Sequence, residues 1–257
     1  MFQLSRTLDH VGLFARSVDD IALLLEQLAG HDERDPDSHP RARVPYRAVA
    51  AEEPPLAPMF AFVKTAHWKD VDADAQEAFA ELVADLGDRV EEIELSPAAG
   101  EAVRWQELVS GPEMATNLAR EWATGRDKLS SVLRGRIERG RAVSAIDYLQ
   151  ARASLPELHA SFTELFEQRY DAILTPAAEG TAPVGLESTG EPTFCTLWTM
   201  LGLPSVSLPL LQGANGLPLG VQLVGPRYAD GRLLRTARWL AESVGGQGTT
   251  PHPALSP

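Results

Sequence analysis

Few residues of this sequence are placed so that they could carry out covalent catalysis. The possible nucleophiles are Cys195 and the pair Ser130-Ser131, and the possible base is Lys64. A thiol must lose its proton before it can react, which takes a base or a positive local field, and no histidine lies near Cys195 in sequence. A lysine must lose its charge, which takes burial or a cationic neighbour. We therefore expect Cys195 to be a small buried hydrophobic residue and Ser130 to cap a helix. We expect Lys64 to be a strand-end residue whose ammonium group reaches water.

The common local motifs for catalysis and cofactor binding are absent. The sequence contains no phosphate-binding Gly-x-x-x-x-Gly-Lys loop, no dinucleotide-binding Gly-x-Gly-x-x-Gly after a strand and no Gly-x-Ser-x-Gly elbow. Its six histidines are scattered, and none pair at the i, i+4 spacing of metalloproteases. The sequence alone therefore predicts no catalytic residue, no metal ligand and no cofactor.

Composition narrows the class of protein and of partner. The 257 residues are 44% hydrophobic and 23% charged, as in ordinary globular proteins. The formal net charge of −13 repels phosphate backbones and anionic membrane surfaces, so we expect neither nucleic acid nor a membrane as partner. The single cysteine, Cys195, cannot form an intrachain disulfide and favours a reducing compartment, the cytoplasm.

The hydrophobic pattern predicts an α/β protein. A short apolar strand over 59–63, a helix between Asp72 and Gly87, and a strand over 90–95 form a strand–helix–strand unit, which favours parallel pairing. Another helix begins at Ser17 and ends at Gly30. Further strands are predicted over 172–175, 206–210 and 219–224, with helices over 193–201 and 230–243. Together these elements predict a mixed, largely parallel sheet flanked by helices.

The middle of the chain is predicted to be helical over 98–169. We expect breaks near Gly111-Pro112, Gly125 and Gly140, because glycine and proline weaken helix interiors. A helix beginning at Ser144 should be kinked or split by Pro156. Two stretches lack any period: 31–58, which we expect to be an exposed connection, and 176–192, a long loop of the kind that is usually functional or disordered.

Several motifs, taken in order, resemble one known family. They are Ser5-Arg-Thr-Leu-Asp-His-Val-Gly12, Ala15-Arg-Ser-Val-Asp-Asp-Ile-Ala-Leu-Leu-Leu25, Tyr170-Asp-Ala-Ile-Leu-Thr-Pro176, Gly202-Leu-Pro-Ser-Val-Ser-Leu-Pro209 and Gly216-Leu-Pro-Leu-Gly-Val-Gln-Leu-Val-Gly225. They resemble the C-terminal part of the amidase signature family, and the span from Gly185 to Thr199 is similar to a bacterial subgroup that acts on small amides. The likeness is dense over 5–30 and 141–243.

The resemblance implies the C-terminal part of the amidase signature fold and hydrolysis of the C–N bond of a small carboxamide. The chemistry of that family uses a lysine, a bridging serine and a nucleophilic serine, and it needs no cofactor. No residue of this sequence matches those three, because in the family they lie upstream of the segment that matches Thr7 to Gly12. The resemblance therefore assigns no catalytic residue here, and we expect this chain alone to be inactive.

What the resemblance does assign is structural or peripheral. Asp9 and Gly12 match a segment that supports the catalytic core, while Phe194, Trp198 and Thr199 match the region that faces the acyl pocket. We take these last three as candidate substrate-binding residues, although core packing is the plainer explanation for Phe194 and Trp198. The loop 176–192 should form part of the pocket wall.

The expected organisation is a single, partial amidase-like domain over 1–244 with a disordered tail over 245–257. The expected partners are a small amide substrate or its carboxylic acid product, together with a missing N-terminal half or further copies of the chain. A truncated gene product, a wrongly assigned start and one half of a split enzyme are all compatible with the sequence. Two other hypotheses remain open: a non-catalytic relic that binds small molecules, and a complete enzyme of unfamiliar mechanism using Lys64 or Cys195.

Overall fold

The computed structural model describes residues 2–35 and 37–245. The strands are β1 (Phe60–Val63), β2 (Val90–Ile93), β3 (Ala172–Pro176), β4 (Ser205–Gln212) and β5 (Pro218–Val224). The helices are α1 (Val18–Leu28), α2 (Tyr46–Ala51), α3 (Ala73–Leu86), α4 (Pro97–Gly100), α5 (Ala102–Asn117), α6 (Ala119–Gly125), α7 (Ser131–Ala142), α8 (Ala145–Ala153), α9 (Leu155–Gln168), α10 (Thr193–Leu201) and α11 (Asp230–Gly245). The predicted tail lies outside the described residues, apart from Gly245, which ends α11.

The five strands form one mixed sheet in the order β2-β1-β3-β5-β4. Strand β1 pairs in parallel with both β2 and β3, whereas β5 runs antiparallel to β3 and to β4. Every residue of β1 and of β3 is buried, as expected of central strands covered on both faces. The predicted α/β class with a mixed sheet flanked by helices is confirmed.

Helices cover the two faces of β1 with two separate cores. On one face Phe60 and Phe62 pack with Phe79 of α3, and on the other Ala61 and Val63 pack with the buried side of α9. Helix α3 belongs to the connection from β1 to β2, and α9 belongs to the connection from β2 back to β3. The two crossovers therefore lie on opposite faces of the sheet, since the chain leaves β1 towards one face and leaves its neighbour β2 towards the other.

One of the three predicted breaks in the helical middle is wrong, because helix α5 runs through Gly111 and Pro112. The break near Gly140 is present, since α7 ends at Ala142 and α8 starts at Ala145. Packing of α5 against α7, α8 and α10 outweighs the intrinsic cost of the proline. The two glycines are where α5 and α7 touch: a Cβ added to Gly140 would lie 2.1 Å from the carbonyl oxygen of Gly111.

The other helix boundaries follow local signals. Helix α6 ends at Gly125 as predicted, and Pro156 begins a new helix, because α8 ends at Ala153 and α9 starts at Leu155. Ser17, Ser130 and Ser144 each cap a helix by accepting a backbone N–H. The short helix α2 lies within the stretch 31–58, which was expected to be an exposed connection, and its Ala50 is buried. No helix in the described ranges has the length and apolarity needed to cross a bilayer.

A half-buried carboxylate ties the N-terminal segment to the helical middle. The Glu113 side chain on α5 accepts hydrogen bonds from the Ser5 hydroxyl, from both the backbone N–H and hydroxyl of Thr7, and from the Tyr148 hydroxyl. Burial by itself would raise the pKa of Glu113, but these hydrogen bonds outweigh it and hold the pKa below its usual value. Asp9, in the same segment, accepts the backbone N–H of Leu4 at 2.8 Å.

We predict that Glu113→Gln lowers the free energy of unfolding by about 1–2 kcal/mol at neutral pH, because donors that now meet a charged acceptor would meet a neutral amide. The folded-state pKa of Glu113 is depressed, so its stabilisation is complete above the unfolded carboxyl pKa of about 4.3 and is lost as the pH falls through the folded value. Urea unfolding at several pH values should show the difference from wild type closing in acid. Glu107→Gln, at an exposed position on the same helix, is the control, and an equal loss in both variants would contradict the prediction.

We predict that Gly140→Ala destabilises the protein by about 1–3 kcal/mol, because the added methyl group must push the α5 backbone away. Gly135→Ala on the same helix is the matched control, since its Cβ would meet only the end of the Arg139 side chain at 3.5 Å. That variant should be as stable as wild type or gain up to about 1 kcal/mol. Thermal unfolding followed by circular dichroism separates the two, and equal midpoints would show that α5 and α7 do not approach as described.

Candidate functional site

A crevice opens at the carboxyl ends of β1 and β2, where the chain leaves these two neighbouring strands on opposite faces of the sheet. In open α/β sheets the crevice beyond the carboxyl ends of the strands, at the point where neighbouring connections leave in opposite directions, is the usual ligand site. Here the residues that follow β1 and β2, 64–67 and 94–97, form two sides of the crevice. Helices α5 and α10 form the others, through Ala102, Val103, Thr193, Phe194 and Leu197. The volume is about 320 Å³, which suits a small molecule.

The crevice has an apolar inner wall and a polar mouth. Phe194, Leu197 and Val103 supply apolar surface, and Lys64, His67 and Glu94 supply polar groups. Such a combination is typical of small-molecule sites, in which apolar contacts give affinity and a few polar groups fix orientation.

The two basic side chains at the mouth are already engaged. The Lys64 ammonium nitrogen lies 2.8 Å from the Glu92 carboxylate and 5.4 Å from the centre of the Trp68 ring. His67 Nδ1 lies 3.4 Å from an Asp70 carboxylate oxygen, and its ring meets that of Phe194 edge-on. Lys64 is thus a charged strand-end residue with an acidic partner, as the sequence suggested.

One residue that lines the crevice, Thr193, carries a polar group without a partner. The Thr193 hydroxyl is shielded from solvent and makes no hydrogen bond within residues 2–35 and 37–245. Thr193 is the first residue of α10, and the residue before it, Pro192, provides no side-chain cap. A buried hydroxyl without a partner costs free energy, so a ligand that completes its hydrogen bond gains affinity.

The structure brings one of the three predicted substrate-binding residues to the crevice. Phe194 lies on its wall and also packs against Val71 and Leu219. Trp198 is 1% exposed and meets Phe162 edge-on in the core beside α9. Thr199 is half-buried, and its carbonyl accepts the Gly202 N–H at 3.1 Å, which helps to end α10. Neither Trp198 nor Thr199 borders the crevice.

The loop 177–192 does not border the crevice either. Its Val184 and Leu186 side chains are fully exposed. Hydrogen bonds that attach the middle of the loop to its surroundings include those from the Asp72 N–H to the Glu179 carbonyl and from the Asn215 side chain to the Thr181 hydroxyl. The loop therefore does not form the wall of this crevice, in which it was expected to take part.

The opposite side of α10 carries the cysteine. Cys195 is exposed, so the expectation of a buried residue is wrong. Its sulfur lies 3.7 Å from Oε1 of Gln222, and the protein on that side removes enough water to raise the pKa of the thiol. The buried Gln222 side chain also donates to the carbonyls of Pro176 and Phe194. Gln222 thereby connects β5 to the first turn of α10.

The residues at the crevice mouth were missed because no motif marks them. Thr65, His67 and Ser96 are separated in sequence and line one crevice because the parallel strands β1 and β2 end at the same edge, and α10 brings Thr193 to the same crevice. A usable signal was present, since polar residues follow directly after both predicted strands. Within the described ranges, no three histidine, cysteine, aspartate or glutamate side chains group together as metal ligands.

Comparison with known proteins identifies the family. The family described as Amidase matches residues 1–234. The chain belongs to the amidase family. The amidase-like chain is 32% identical to a glutamyl-tRNA(Gln) amidotransferase subunit of Symbiobacterium thermophilum, over 93% of this chain and 55% of that protein. It is 26% identical to the corresponding mitochondrial protein of Mus musculus, over 95% of this chain and 53% of that protein.

Solved amidase-family structures share the fold. The crystal structure of a glutamyl-tRNA(Gln) amidotransferase subunit from Thermotoga maritima has a TM-score of 0.74 and 27% identity, and it aligns with 93% of this chain and 54% of its own. A protein from a vestigial complex related to an s-triazine catabolic enzyme has a TM-score of 0.81 at 20% identity. This amidase-family chain thus spans about half the length of the relatives it matches.

Proposed function

We propose that this chain forms the scaffold and the small-amide pocket of a carbon–nitrogen hydrolase. In this proposal, the nucleophile and the base come from polypeptide that corresponds to the part of the relatives lying outside the match. One observation carries the proposal: the family match extends over residues 1–234, yet the chain covers only 53–55% of the relatives. A small carboxamide is the substrate and a carboxylic acid is the product.

The crevice supports the pocket assignment. The acyl part of a small amide would lie against Phe194 and Leu197, and the Thr193 hydroxyl would hydrogen-bond to the amide. The volume of about 320 Å³ limits the ligand to a small molecule. Trp198 and Thr199 would then support α10 from behind, without touching the ligand.

The residues that could have served as a nucleophile or base in this chain have other roles. Ser5 donates to Glu113, and Ser130 caps α7. The Lys64 ammonium nitrogen lies 2.8 Å from the Glu92 carboxylate and is engaged in that ion pair. The raised pKa of Cys195 reduces the fraction of thiolate. These contacts count against a complete enzyme that uses Lys64 or Cys195.

The chemistry that the family resemblance implies is acyl transfer. A serine attacks the amide carbonyl, a lysine acts as base through a bridging serine, ammonia or an amine leaves, and water then releases the acid. The proposal requires that other polypeptide supply the lysine and the two serines. The single cysteine supports a reducing compartment, the cytoplasm, as the setting.

A non-catalytic relic that binds small molecules is the second candidate function. The unpartnered Thr193 hydroxyl in an apolar crevice favours it, since a binding protein needs only that geometry. The two candidates differ in one result. If the chain is combined with the polypeptide that carries the lysine and the two serines, the hydrolase would turn over a small amide and the relic would not.

The homogeneous chain should not hydrolyse small aliphatic carboxamides, because Ser5, Ser130 and Lys64 are engaged in other contacts and the pKa of Cys195 is raised. Ammonia release from a panel that includes butyramide is the measurement, with heat-denatured chain as the control. Steady turnover that persists through successive purification steps, and that Lys64→Ala or Cys195→Ala abolishes, would contradict the proposal.

Butyramide should bind in the crevice, and Thr193→Val should weaken that binding about tenfold, the value of one hydrogen bond. Valine has nearly the same shape as threonine, and removing an unpartnered hydroxyl should leave the stability of the free protein unchanged or higher. Chemical-shift titration gives the dissociation constants, and Thr163→Val, at an exposed position on α9, is the control. Equal affinity in wild type and Thr193→Val would contradict the proposal that the amide binds in this crevice. Phe194→Ala is a second probe, to be used only if it remains folded.

A further inference from the structure

Helices α6 and α7 form a basic surface on an acidic protein. Residues 119–142 contain seven arginine and lysine residues and three acidic residues, a formal charge of +4, whereas the whole chain carries −13. The guanidinium carbons of Arg126 and Arg141 lie 4.5 and 5.8 Å from the centre of the Trp122 ring. Arg126 also pairs with Glu138. The other basic side chains of this surface form no ion pair with residues 2–35 and 37–245: Arg120, Lys128, Arg134, Arg136, Arg139 and Arg141.

The basic residues of α7 include two that point away from the protein on one side of the helix. Ile137 and Gly140 are buried, and Gly140 faces the α5 backbone. Arg136 and Arg139 are exposed and three residues apart, and Val132, four residues before Arg136, is 67% exposed. Residues three and four apart are neighbours on a helix, so these three share one face. This exposed face of α7 combines positive charge with an apolar side chain.

The complementary charge lies on α3. From Asp72 to Asp88 the sequence contains six acidic residues and no basic one. Glu77, Glu81 and Asp85 follow one another at i, i+4 spacing and are exposed, and within the described part of the chain they form no ion pair. Like charges at this spacing destabilise a helix by a few tenths of a kcal/mol per pair. The exposed alanines between these carboxylates allow another helix to approach them closely: Ala80 and Ala84.

The two charged helix faces cannot meet within one molecule. Helix α3 packs on the sheet face that carries Phe60 and Phe62. Helix α5, on which α7 rests, reaches the core on the other sheet face through Ala102 and Trp105. Contact between α7 and α3 therefore requires two molecules. Such a contact joins different surfaces of the two copies and leaves one α3 and one α7 face free at the ends, so it can be repeated.

We propose that a second copy of this chain docks on the exposed face of α7, with its α3 carboxylates against Arg136 and Arg139. Charge complementarity selects this occupant, because the acidic face of α3 matches the basic face of α7 in sign and both are helical and free of ion pairs. An extended polyanion fits less well, since beyond α7 it would meet a chain whose net charge is strongly negative. The inference is independent of the proposed hydrolase function.

Sedimentation of the purified chain over a range of concentrations tests the proposal. In about 50 mM NaCl the average mass should rise with concentration and continue past that of a dimer, because each added copy offers a new docking face. In about 500 mM NaCl the association constant should fall at least about tenfold, since salt screens exposed charges. Association through exposed apolar side chains would not weaken in this way.

Charge reversal identifies the two faces. Arg136→Glu with Arg139→Glu should make the chain monomeric in about 50 mM NaCl, and so should Glu77→Lys with Glu81→Lys. An equal mixture of the two variants should associate again, because the acidic α7 of one then meets the basic α3 of the other. Glu164→Lys with Glu167→Lys, at exposed positions on α9, makes the same change in net charge and should associate as wild type does. Circular dichroism shows whether each variant is folded.

Four results would overturn the proposal: a wild-type chain that stays monomeric, association that stops at a dimer, association that both reversals leave intact, or a mixture of the reversed variants that stays monomeric. Fluorescence anisotropy with a short single-stranded RNA tests the other class of occupant. RNA binding by a monomeric wild-type chain, lost in Arg136→Glu with Arg139→Glu, would assign the face to nucleic acid and contradict docking of a second copy.

Discussion

The complete burial of β1 is the constraint on which the rest of the structure depends. A parallel strand covered on both faces needs helices on both sides, and here α3 supplies one side and α9 the other. The connection that carries α3 leaves β1, and the connection that carries α9 leaves the neighbouring strand β2 on the other face of the sheet, which opens a crevice at the carboxyl ends of these two strands. The crevice is therefore a consequence of the strand order, and its lining is set by the residues that follow β1 and β2.

Helix α10 joins that crevice to the open side of the sheet. Its Phe194 and Leu197 form the crevice wall, and its Cys195 is exposed on the side of Gln222. Gln222 is buried and donates its amide hydrogens to the carbonyls of Pro176 and Phe194, which fixes the first turn of the helix against β5.

Local signals in the sequence predicted most elements, and tertiary contacts decided the rest. Serine caps located the starts of α1, α7 and α8, and the apolar runs located the strands, because these features act over a few residues. The break predicted near Gly111 was wrong because Gly111 and Gly140 let α5 and α7 approach closely, which no local pattern shows. The i, i+4 spacing of Phe194 and Trp198 correctly placed both on one helix. It did not reveal that they enter different cores, and only Phe194 reaches the crevice.

The central claim is that this amidase-family chain supplies a pocket wall and a scaffold but no reactive serine. The most direct measurement is the intact mass of the purified chain after incubation with a fluorophosphonate, which forms a stable adduct with activated serine nucleophiles. We expect an unchanged mass for the folded chain. A stoichiometric adduct on one serine, lost when the protein is unfolded before treatment, would contradict the claim.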